Sequence, residues 1–369
     1  MKLNLIRETL LKPLQQVIGV VERKQTLPIL SNVLISTENN QLSITGTDLE
    51  LELIGQTKLE DETLEASRLT LPGRKLMDIC RALPENALIK LDRDKGKIIL
   101  RSGQSRFILS TLPADDFPTV EKLECHLKLT LPQYQLYCLL QRTYFAMAQQ
   151  DVRYYLNGLF LEIHPSKLCV VATDGHRLAT NTIGIEAAIK NRLQVIIPRK
   201  GVIELLRLLA DNEDPLTLMI GSNHVCVFTT DFTFTSKLIE GRFPDYERVI
   251  PKGGNKKVTL DRDLLKQALS RTAILCNEKF KGIRFELRVG LLRILSNNPQ
   301  QEAAEEEIEI EYDKEALDIG FNVNYLLDIL NVVKRGNVIL TFSDANSSIL
   351  VTEAENQIDS AFVVMPMRL

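Results

Sequence analysis

A threefold internal repeat constrains the fold of this chain more than any other feature of its sequence. At Leu3, Leu129 and Val258 the chain enters a short stretch of alternating apolar residues and then a stretch of helical periodicity. Copies of this kind predict repeated units of similar structure. A chain of 369 residues is also too long for one ordinary core, so two or three domains are expected.

Each copy continues with a strand that ends in a polar turn, and then with a second helix. The strand-and-turn segments are residues 42–48, 168–174 and 292–298, and each ends in an Asp or Asn typical of turn caps. The second helices are predicted at residues 74–83, 199–210 and 325–334, and the hairpins after them at 97–112, 224–239 and 347–365. Each copy is therefore predicted to contain two strand–helix–strands halves.

The boundaries between the copies are predicted near His126 and near the linker-like residues 252–255. These boundaries give three domains, at residues 1–126, 127–254 and 255–369. The strands are clustered and joined by hairpins, which favours antiparallel sheets with helices on one face. The predicted fold class is therefore α+β, with three similar domains.

A row of such sheets would leave an open strand at each end. Proteins seldom leave strand edges open. Head-to-tail association of identical chains would pair the two edges and close a ring. We expect the helices to line the inside of this ring and the sheets to form its outside.

The charged residues are unevenly distributed, although the net charge is only −3. The predicted helices carry the basic residues Lys12, Arg74, Lys75, Arg81, Arg142, Arg199, Lys200, Arg207, Lys266, Arg271, Lys334 and Arg335. Strands and loops hold most of the acidic residues, including a run at residues 305–311 that alternates with Ile308 and Ile310. A basic inside and an acidic outside suit a hole that accepts a polyanion. For any single basic residue, a solvated helix face is the simpler interpretation.

Two loops combine basic side chains with amides or aromatic rings. They are residues 23–25, after the first helix, and residues 149–155, after the third. Tyr154 and Tyr155 are suited to contact a nucleic-acid backbone or bases, and a packed turn with buried tyrosines is an equal alternative. Phosphate contacts would position DNA without reading its sequence.

The composition excludes several other classes of protein. No apolar run is long enough to span a membrane, and the N-terminal residues do not look like a secretory signal. The six cysteines are widely spaced without zinc-ligand patterns, so we expect reduced cysteines packed as small apolar residues in a cytoplasmic protein.

The sequence does not indicate an enzyme. It has no G-x-S-x-G motif, no Walker A or G-x-G-x-x-G loop, and its four histidines form no H-x-x-x-H pattern. Asp174 and His176 are badly placed to face each other as an acid–base pair. Neither a metal nor another cofactor is predicted, and two alternatives to a DNA ring stay open, a repeat scaffold without a DNA function and a DNA-processing enzyme with an unrecognised site.

Several motifs resemble those of one known family, the β sliding clamps, which are the β subunits of bacterial DNA polymerase III. They are Y-Y-L-N-G at residues 154–158, A-T-D-G-H-R-L at 172–178, G-R-F-P-D-Y at 241–246 and V-V-M-P-M-R-L at 363–369. The resemblance extends from residue 1 to residue 369. It implies a homodimeric ring around double-stranded DNA that serves as a processivity factor in DNA replication.

The same resemblance implies that partner proteins insert a short linear peptide into a pocket between the second and third domains. The expected partners are the DNA polymerase III catalytic subunit, the clamp loader, and other polymerases and repair proteins. The implied pocket residues are Leu156, Thr173, Gly175, His176, Arg177, Leu178, Pro244, Arg248, Val249, Phe280, Asn322, Tyr325, Ser348, Val363, Val364, Met365, Pro366, Met367 and Arg368. Soft methionine side chains would let one pocket accept many peptides, and Arg177, Arg248 and Arg368 would hold their polar groups.

Two further sets of residues are candidates for contacts. The candidate DNA contacts are Lys24, Arg74, Gln150, Arg153, Tyr154, Tyr155, Arg199, Lys200 and Arg207. For the dimer, the resemblance points to Phe107 and Leu109 on an edge strand of one copy, facing Ile274 and Leu275 of the other. Lys24 and Gln149 depart from the arginine and histidine usual in the family, and the net charge is milder than usual.

Overall fold

The computed structural model describes residues 2–22, 27–59, 66–120, 125–189, 191–334, 336–354 and 359–368. Six α-helices lie within these residues: α1 (Arg7–Val17), α2 (Gly73–Ala82), α3 (Gln133–Gln141), α4 (Arg199–Leu208), α5 (Arg262–Thr272) and α6 (Val323–Val332). The predicted second helices are thus confirmed, with ends that differ by about one turn or less.

The described residues also form 24 β-strands, which all pair antiparallel. They are β1 (Lys2–Ile6), β2 (Asn32–Glu38), β3 (Gln41–Thr47), β4 (Leu51–Lys58), β5 (Ser67–Pro72), β6 (Leu88–Asp94), β7 (Lys97–Ser102), β8 (Ser105–Ser110), β9 (Leu127–Pro132), β10 (Gly158–Ile163), β11 (Lys167–Thr173), β12 (Arg177–Gly184), β13 (Leu193–Pro198), β14 (Pro215–Ile220), β15 (His224–Phe228), β16 (Phe232–Lys237), β17 (Lys256–Asp261), β18 (Gly282–Arg288), β19 (Leu291–Asn297), β20 (Ala303–Glu309), β21 (Leu317–Asn322), β22 (Asn337–Phe342), β23 (Ile349–Glu353) and β24 (Asp359–Val364). The predicted hairpins are β7–β8, β15–β16 and β23–β24, and they are confirmed.

The chain forms two compact units. The first unit is Met1–Tyr134 with Ile203–Leu238, and the second is Gln135–Val202 with Ile239–Leu369. Each unit contains one eight-stranded and one four-stranded sheet. The predicted middle domain therefore contributes one half to each unit, and the domain boundaries at 126 and 254 stay a prediction.

The strand orders repeat the same four-stranded set six times. Three sets have the order β1-β6-β7-β8, β9-β14-β15-β16 and β17-β22-β23-β24, and the other three have the order β5-β2-β3-β4, β13-β10-β11-β12 and β21-β18-β19-β20. Sets of the two kinds are fused where β4 pairs β16 and where β12 pairs β24. We call these pairings the first junction (β4–β16) and the second junction (β12–β24). This arrangement is the α+β fold predicted from the repeat.

The helices bury one face because their apolar residues recur at helical spacing. In α1 the buried residues are Leu10, Pro13, Leu14 and Val17, and α1 packs against β3 and β4. A fully buried leucine or valine contributes about 1.5–3 kcal/mol relative to an exposed one. Helix burial on the sheets is thus a main source of stability in each half.

Arginines at helix starts join pairs of helices. Arg7, the first residue of α1, donates from Nε to the Cys80 carbonyl of α2 at 2.6 Å. Arg262, the first residue of α5, donates in the same way to the Leu330 carbonyl of α6 at 2.7 Å. Carbonyls near a helix C-terminus lack partners within the helix and favour positive charge. Some of the basic residues on helices therefore serve packing.

The cysteines are free, and four of them are buried as expected: Cys80, Cys169, Cys226 and Cys276. Burial raises the pKa of the Cys80 thiol to about 12 and that of Cys226 to about 11. The expectation of buried thiols is wrong for Cys125, which is exposed next to β9. In the part of the chain that the structure describes, no helix is long and apolar enough to cross a membrane.

Candidate functional site

A tight turn between β11 and β12 forms the base of the site. Thr173 Oγ1 donates a hydrogen bond to the Arg177 carbonyl at 2.6 Å and accepts one from the Gly175 N–H at 3.1 Å. Asp174 Oδ1 accepts from the N–H groups of His176 and Arg177 at 2.9 and 3.0 Å. The sequence prediction that Asp174 caps this turn is confirmed.

Gly175 suits this position in both its conformation and its size. Its φ is +89°, a value that residues with a Cβ rarely adopt, and a Cβ would lie 3.0 Å from Nη2 of Arg153. Arg153 is held there by Asp151, at 3.0 Å from Nε and 2.9 Å from Nη2, and by the Asp174 carbonyl at 3.3 Å. The hydrogen bonds from Arg153 lower the pKa of Asp151 to about 2, so this carboxylate stays ionised at neutral pH.

A cavity of about 180 Å³ opens beside this turn, within the second unit. Its floor consists of Leu156, Leu178 and Val363, each exposed by at most 2%. Its rim includes the half-exposed side chains of Val249 and Met365. The other wall residues are Arg153, Thr173, Gly175, His176, Arg177, Pro244 and Tyr246. An apolar floor and rim, with a few polar side chains such as Arg153, Thr173 and His176 in the walls, suit a peptide that inserts apolar side chains and leaves its backbone at the surface.

The segment after β24 brings another wall to the turn. Met365 follows β24, and its N–H donates to the His176 carbonyl at 2.9 Å, which extends the second junction by one bond. Beyond it, Met367 forms a bridge with Gly320, donating to its carbonyl at 2.8 Å. Met365 and Met367 are thus each fixed by a backbone hydrogen bond to another segment of the second unit.

Arg177 is already occupied by groups of its own chain. Its guanidinium donates to Asp174 at 3.1 Å, to Asp328 at 2.5 Å and to the Phe145 carbonyl at 2.8 Å. It also lies 4.5 Å from the centre of the Tyr325 ring. The side chain is 12% exposed. These contacts brace the wall, and the expected role of Arg177 in holding polar groups of a peptide stays a prediction.

The structure brings ten of the predicted peptide-binding residues to this cavity: Leu156, Thr173, Gly175, His176, Arg177, Leu178, Pro244, Val249, Val363 and Met365. Of the other predicted residues, Val364 is fully buried in β24, Tyr325 stacks with Arg177, and Asn322 caps α6. Phe280 is 56% exposed. Arg248 is exposed and pairs with Asp245 at 2.8 Å, while Ser348, Pro366, Met367 and Arg368 lie outside the cavity walls. Leu369 falls outside the described residues, and the roles of all these residues stay predictions.

Two wall residues were missed as peptide-binding candidates. Arg153 is predicted from the sequence only as a DNA contact, and Tyr246 belongs to the G-R-F-P-D-Y motif without a predicted role. Their neighbours in sequence, Leu156 and Pro244, were in the predicted set, so adjacency was the available signal. Adjacency alone does not say which side chain turns toward the cavity.

Comparison with known proteins identifies the family. Models of the N-terminal, central and C-terminal domains of the DNA polymerase III beta subunit match residues 1–121, 130–245 and 247–368. The beta sliding clamp of Pseudomonas putida is 56% identical over 369 residues, which cover 100% of both chains. This chain belongs to the DNA polymerase III beta subunit family.

Solved structures of this family agree with the fold. The sliding clamp of Pseudomonas aeruginosa has a TM-score of 0.96 and 55% identity, with 100% of both chains covered. A second structure of that clamp, bound to griselimycin, has the same TM-score, identity and coverage. The three similar domains predicted from the repeat are those of the sliding clamps.

The predicted DNA contacts of this family member divide into engaged and exposed side chains. Arg74 donates to the Val21 carbonyl at 3.0 Å, and Arg199 to those of Tyr144 and Met147 at 3.4 and 3.2 Å. Each of these arginines lies at the start of a second helix and satisfies carbonyls after the preceding helix.

Arg207 is engaged in a different way, since it contacts Glu204 at 2.8 Å and the carbonyls of Gln15 and Gln16 at 3.0 and 2.5 Å. The expectation of a solvated basic face is wrong for Arg142. Its side chain is 8% exposed and pairs with Glu353.

The 149–155 loop gives a clearer surface. Gln150 is exposed with a φ of +57°, and Tyr154 is 61% exposed. Tyr155 packs against the core cluster that contains Leu156 and Phe160, so the alternative of a packed tyrosine describes it better. Lys200 is half-exposed. Lys24 and Arg335 fall outside the described residues.

The predicted dimer residues lie on strand edges and a helix end. Phe107 is half-buried on β8, and Leu109 is only 7% exposed. Ile274 is 76% exposed in the short 3₁₀ helix Ala273–Leu275 after α5, and Leu275 is half-buried. The acidic strand β20 exposes Glu305, Glu307 and Glu309, which confirms the predicted exposed strand face.

Proposed function

We propose that this chain is a DNA sliding clamp, a homodimeric ring that encircles duplex DNA without sequence specificity. In the bacterial cytoplasm it tethers the replicative polymerase and other DNA-processing proteins, and it performs no catalysis itself. The observation that carries the proposal is the strand order. Within the described residues, β8 and β20 are edge strands with one neighbouring strand each. The counterparts of β8 in the other sets are β16 and β24, and those of β20 are β4 and β12. These counterparts pair with each other at the two junctions.

The repeat supports a register for the proposed third junction, between β20 of one copy and β8 of the other. Phe234 and Phe362 are fully buried at the first and second junctions, opposite Leu53 and Ala179. In its own hairpin Phe107 lies opposite Leu100, as Phe234 and Phe362 lie opposite valines. Phe107 is therefore the counterpart of Phe234 and Phe362. We expect its half-buried side chain to become fully buried when β20 of the other copy pairs with β8.

The counterpart of Leu53 and Ala179 on β20 is Ala304. Ala304 pairs Ser296 in the β19–β20 hairpin, just as Ala179 pairs Ala172 in β11–β12. The third junction would then place Phe107 opposite Ala304 and Arg106 opposite Glu305. Opposite charges directly across a strand pair are favourable.

DNA would contact exposed side chains of the 149–155 loop, with Gln150 and Tyr154 foremost. Stacking and polar contacts of this kind tolerate any sequence. Exchanging both residues for alanine should lower the affinity for primed DNA. Val152, which is 95% exposed in the same loop, supplies the control variant Val152→Ala.

Partner proteins would dock a short peptide in the cavity of the second unit. Removal of residues 365–369 takes away the Met365 rim and the Met367–Gly320 bridge, so we expect loss of peptide binding with the dimer retained. A truncated chain that binds a polymerase-derived peptide normally would contradict the assignment of the cavity.

Retention on circular and on linearised plasmid tests the ring. After loading and a wash at raised salt, a closed ring stays on the circle and slides off the cut ends, whereas ordinary electrostatic binding weakens on both templates. Equal loss from both templates would contradict encirclement and favour a scaffold without a DNA function.

A further inference from the structure

One wall of the cavity belongs to a connector, residues 239–250, that crosses the sheet face of β10 and β11. The connector is fixed at its start by the Ile239 N–H, which donates to the Ile196 carbonyl at 2.9 Å. Phe243 then stacks on Phe160 of β10, with ring centres 4.6 Å apart. Pro244, Tyr246 and Val249 follow and line the cavity. The position of this wall therefore depends on how the connector is fastened beyond Phe243.

Glu162 supplies a buried anchor beneath the connector. It lies on β10, is 3% exposed, and accepts from Gln194 Nε2 at 2.6 Å on Oε1 and from the Tyr246 hydroxyl at 2.9 Å on Oε2. His164 and Arg192 lie 3.5 Å from the same carboxylate. Burial alone would raise the pKa of Glu162, but the hydrogen bonds from Gln194 and Tyr246, together with His164, outweigh it and hold the pKa below its ordinary value.

Tyr246 is placed to join this anchor to the cavity. Its ring lines the cavity and meets the Phe160 ring edge-on at 6.1 Å, while its hydroxyl points to Glu162. The hydroxyl also lies 3.6 Å from the sulfur of Cys169. A hydrogen bond to a charged, buried acceptor is stronger and more directional than one at the surface. The short 3₁₀ helix Tyr246–Arg248 is thus fastened to the sheet by one side chain.

We propose that Glu162 and Tyr246 are positioning residues for the peptide site, acting as a latch that keeps the Pro244–Val249 wall in its binding-competent position. The inference rests on the proposed function of the cavity. Glu162 is not a cavity wall residue, so it acts through Tyr246. Without the latch the wall spends less time in the competent position, and the apparent affinity falls by that fraction.

The kinetics of peptide binding distinguish a latch from a direct contact. A smaller competent population lowers the association rate and leaves the dissociation rate close to that of the unchanged protein. Loss of a direct contact mainly raises the dissociation rate. Surface plasmon resonance on the full chain measures both rates.

The probe is the tightest binder among overlapping 15-residue peptides of the DNA polymerase III catalytic subunit, with griselimycin as a second probe. Tyr246→Phe removes only the hydroxyl and keeps the ring, and we expect roughly tenfold weaker binding through the association rate. Glu162→Gln keeps an acceptor oxygen, so we expect a loss of roughly threefold. The double variant should be no weaker than Tyr246→Phe, because both changes open the same latch.

Ser296→Ala is the matched control. Ser296 donates a buried hydrogen bond of 2.7 Å to the Thr272 carbonyl in the same unit, away from the cavity. It should cost stability without changing the peptide rates. Unchanged affinity in Tyr246→Phe, a loss confined to the dissociation rate, or additive losses in the double variant would each overturn the latch. If the unchanged protein binds neither probe, the proposed peptide site itself fails.

Discussion

The two junctions share one backbone design and differ in their side chains. At the first junction Thr47 Oγ1 donates to the Leu51 carbonyl at 2.8 Å and accepts from the Leu49 N–H at 3.1 Å, while Asp48 Oδ1 accepts from the Leu51 N–H at 2.7 Å. The turn at the second junction has the same set of bonds. Leu49 even shares the positive φ of its counterpart Gly175, at +77° and +89°.

The side chains of the two turns differ where the cavity opens. Leu49 stands where the second junction has Gly175, and Glu52 stands where it has Leu178. Glu52 is 7% exposed and accepts the Val120 N–H at 3.1 Å, and burial raises its pKa. On a common backbone, the second junction therefore has glycine and leucine beside its apolar cavity, whereas the first has leucine and a buried carboxylate.

The residues beneath the two junctions differ as well. Gln16 and Arg142 are counterparts, since each stands nine residues after the first residue of its helix, α1 or α3. Arg142 pairs with Glu353 and donates to Ser360 at 3.2 Å, at the second junction. Gln16 lies close to Gly55 at the first junction, and its Oε1 is buried without a hydrogen-bond partner among the described residues. The second junction has a buried ionic network, and the first has a buried amide oxygen without a hydrogen-bond partner among the described residues.

The largest effect is expected from breaking that ionic network. Arg142→Met leaves the Glu353 carboxylate, whose side chain is 15% exposed, without its cation. Removal of one partner from a buried pair costs about 3–5 kcal/mol. Denaturant titration should show that loss in the free energy of unfolding of the second unit.

The double variant Arg142→Met with Glu353→Leu should recover most of the loss, because apolar replacement of both charges is often neutral. A single variant as stable as the parent chain would show that the network contributes nothing to the second junction.

Gly175→Leu places at the second junction the side chain that Leu49 supplies at the first. The backbone accepts leucine at positive φ, as Leu49 shows, at a cost of about 1–2 kcal/mol. The new side chain would displace Arg153 and fill the cavity, so we expect at least about 100-fold weaker peptide binding by calorimetry, equal to about 2.7 kcal/mol. Leu49→Gly is the control and should bind peptide as before. Near-normal binding by Gly175→Leu would show that the peptide does not bind in this cavity.

Much of the fold could be predicted from the sequence because the repeat appears three times. Strands, hairpins and second helices were predicted in each copy, and an error in one copy would have conflicted with the other two. The open strand edges could also be predicted, because a row of repeated sheets must leave one unpaired edge strand at each end. The two compact units were not predictable, because they depend on which halves contact each other, and periodicity carries no such information.

The cavity was predictable mainly through motifs around its turn, such as A-T-D-G-H-R-L. Charge was less informative. Arg74 and Arg199 look like DNA contacts on a helix, yet they satisfy backbone carbonyls. Arg142 looks solvated and is buried. Sequence shows which helix carries an arginine, whereas the partner of its guanidinium depends on tertiary packing.

The proposed third junction differs from the two observed ones because it places opposite charges, Arg106 and Glu305, across the paired strands. Arg106→Glu would place like charges opposite each other at both contacts of the ring. At about 1 kcal/mol for each contact, the dimer should dissociate roughly 30-fold more readily in sedimentation velocity experiments. Adding Glu305→Arg should restore most of the affinity, since Arg293 keeps Glu307 and Glu286 as partners. Failure of that rescue would show that the register differs from the one at the two known junctions.

The smallest effect is expected at Gln16, where the first junction departs from the second and from the proposed third. The counterpart Arg271 pairs with Glu306 at 2.6 Å, as Arg142 pairs with Glu353, so only Gln16 lacks a partner for a buried atom among the described residues. Gln16→Met keeps the length of the side chain and removes the unsatisfied oxygen, which should stabilise the first unit by about 1 kcal/mol. Denaturant titration measures this gain, and the second unit should unfold as before. A loss of stability would instead mean that the amide of Gln16 has a favourable role at the first junction that a methionine cannot supply.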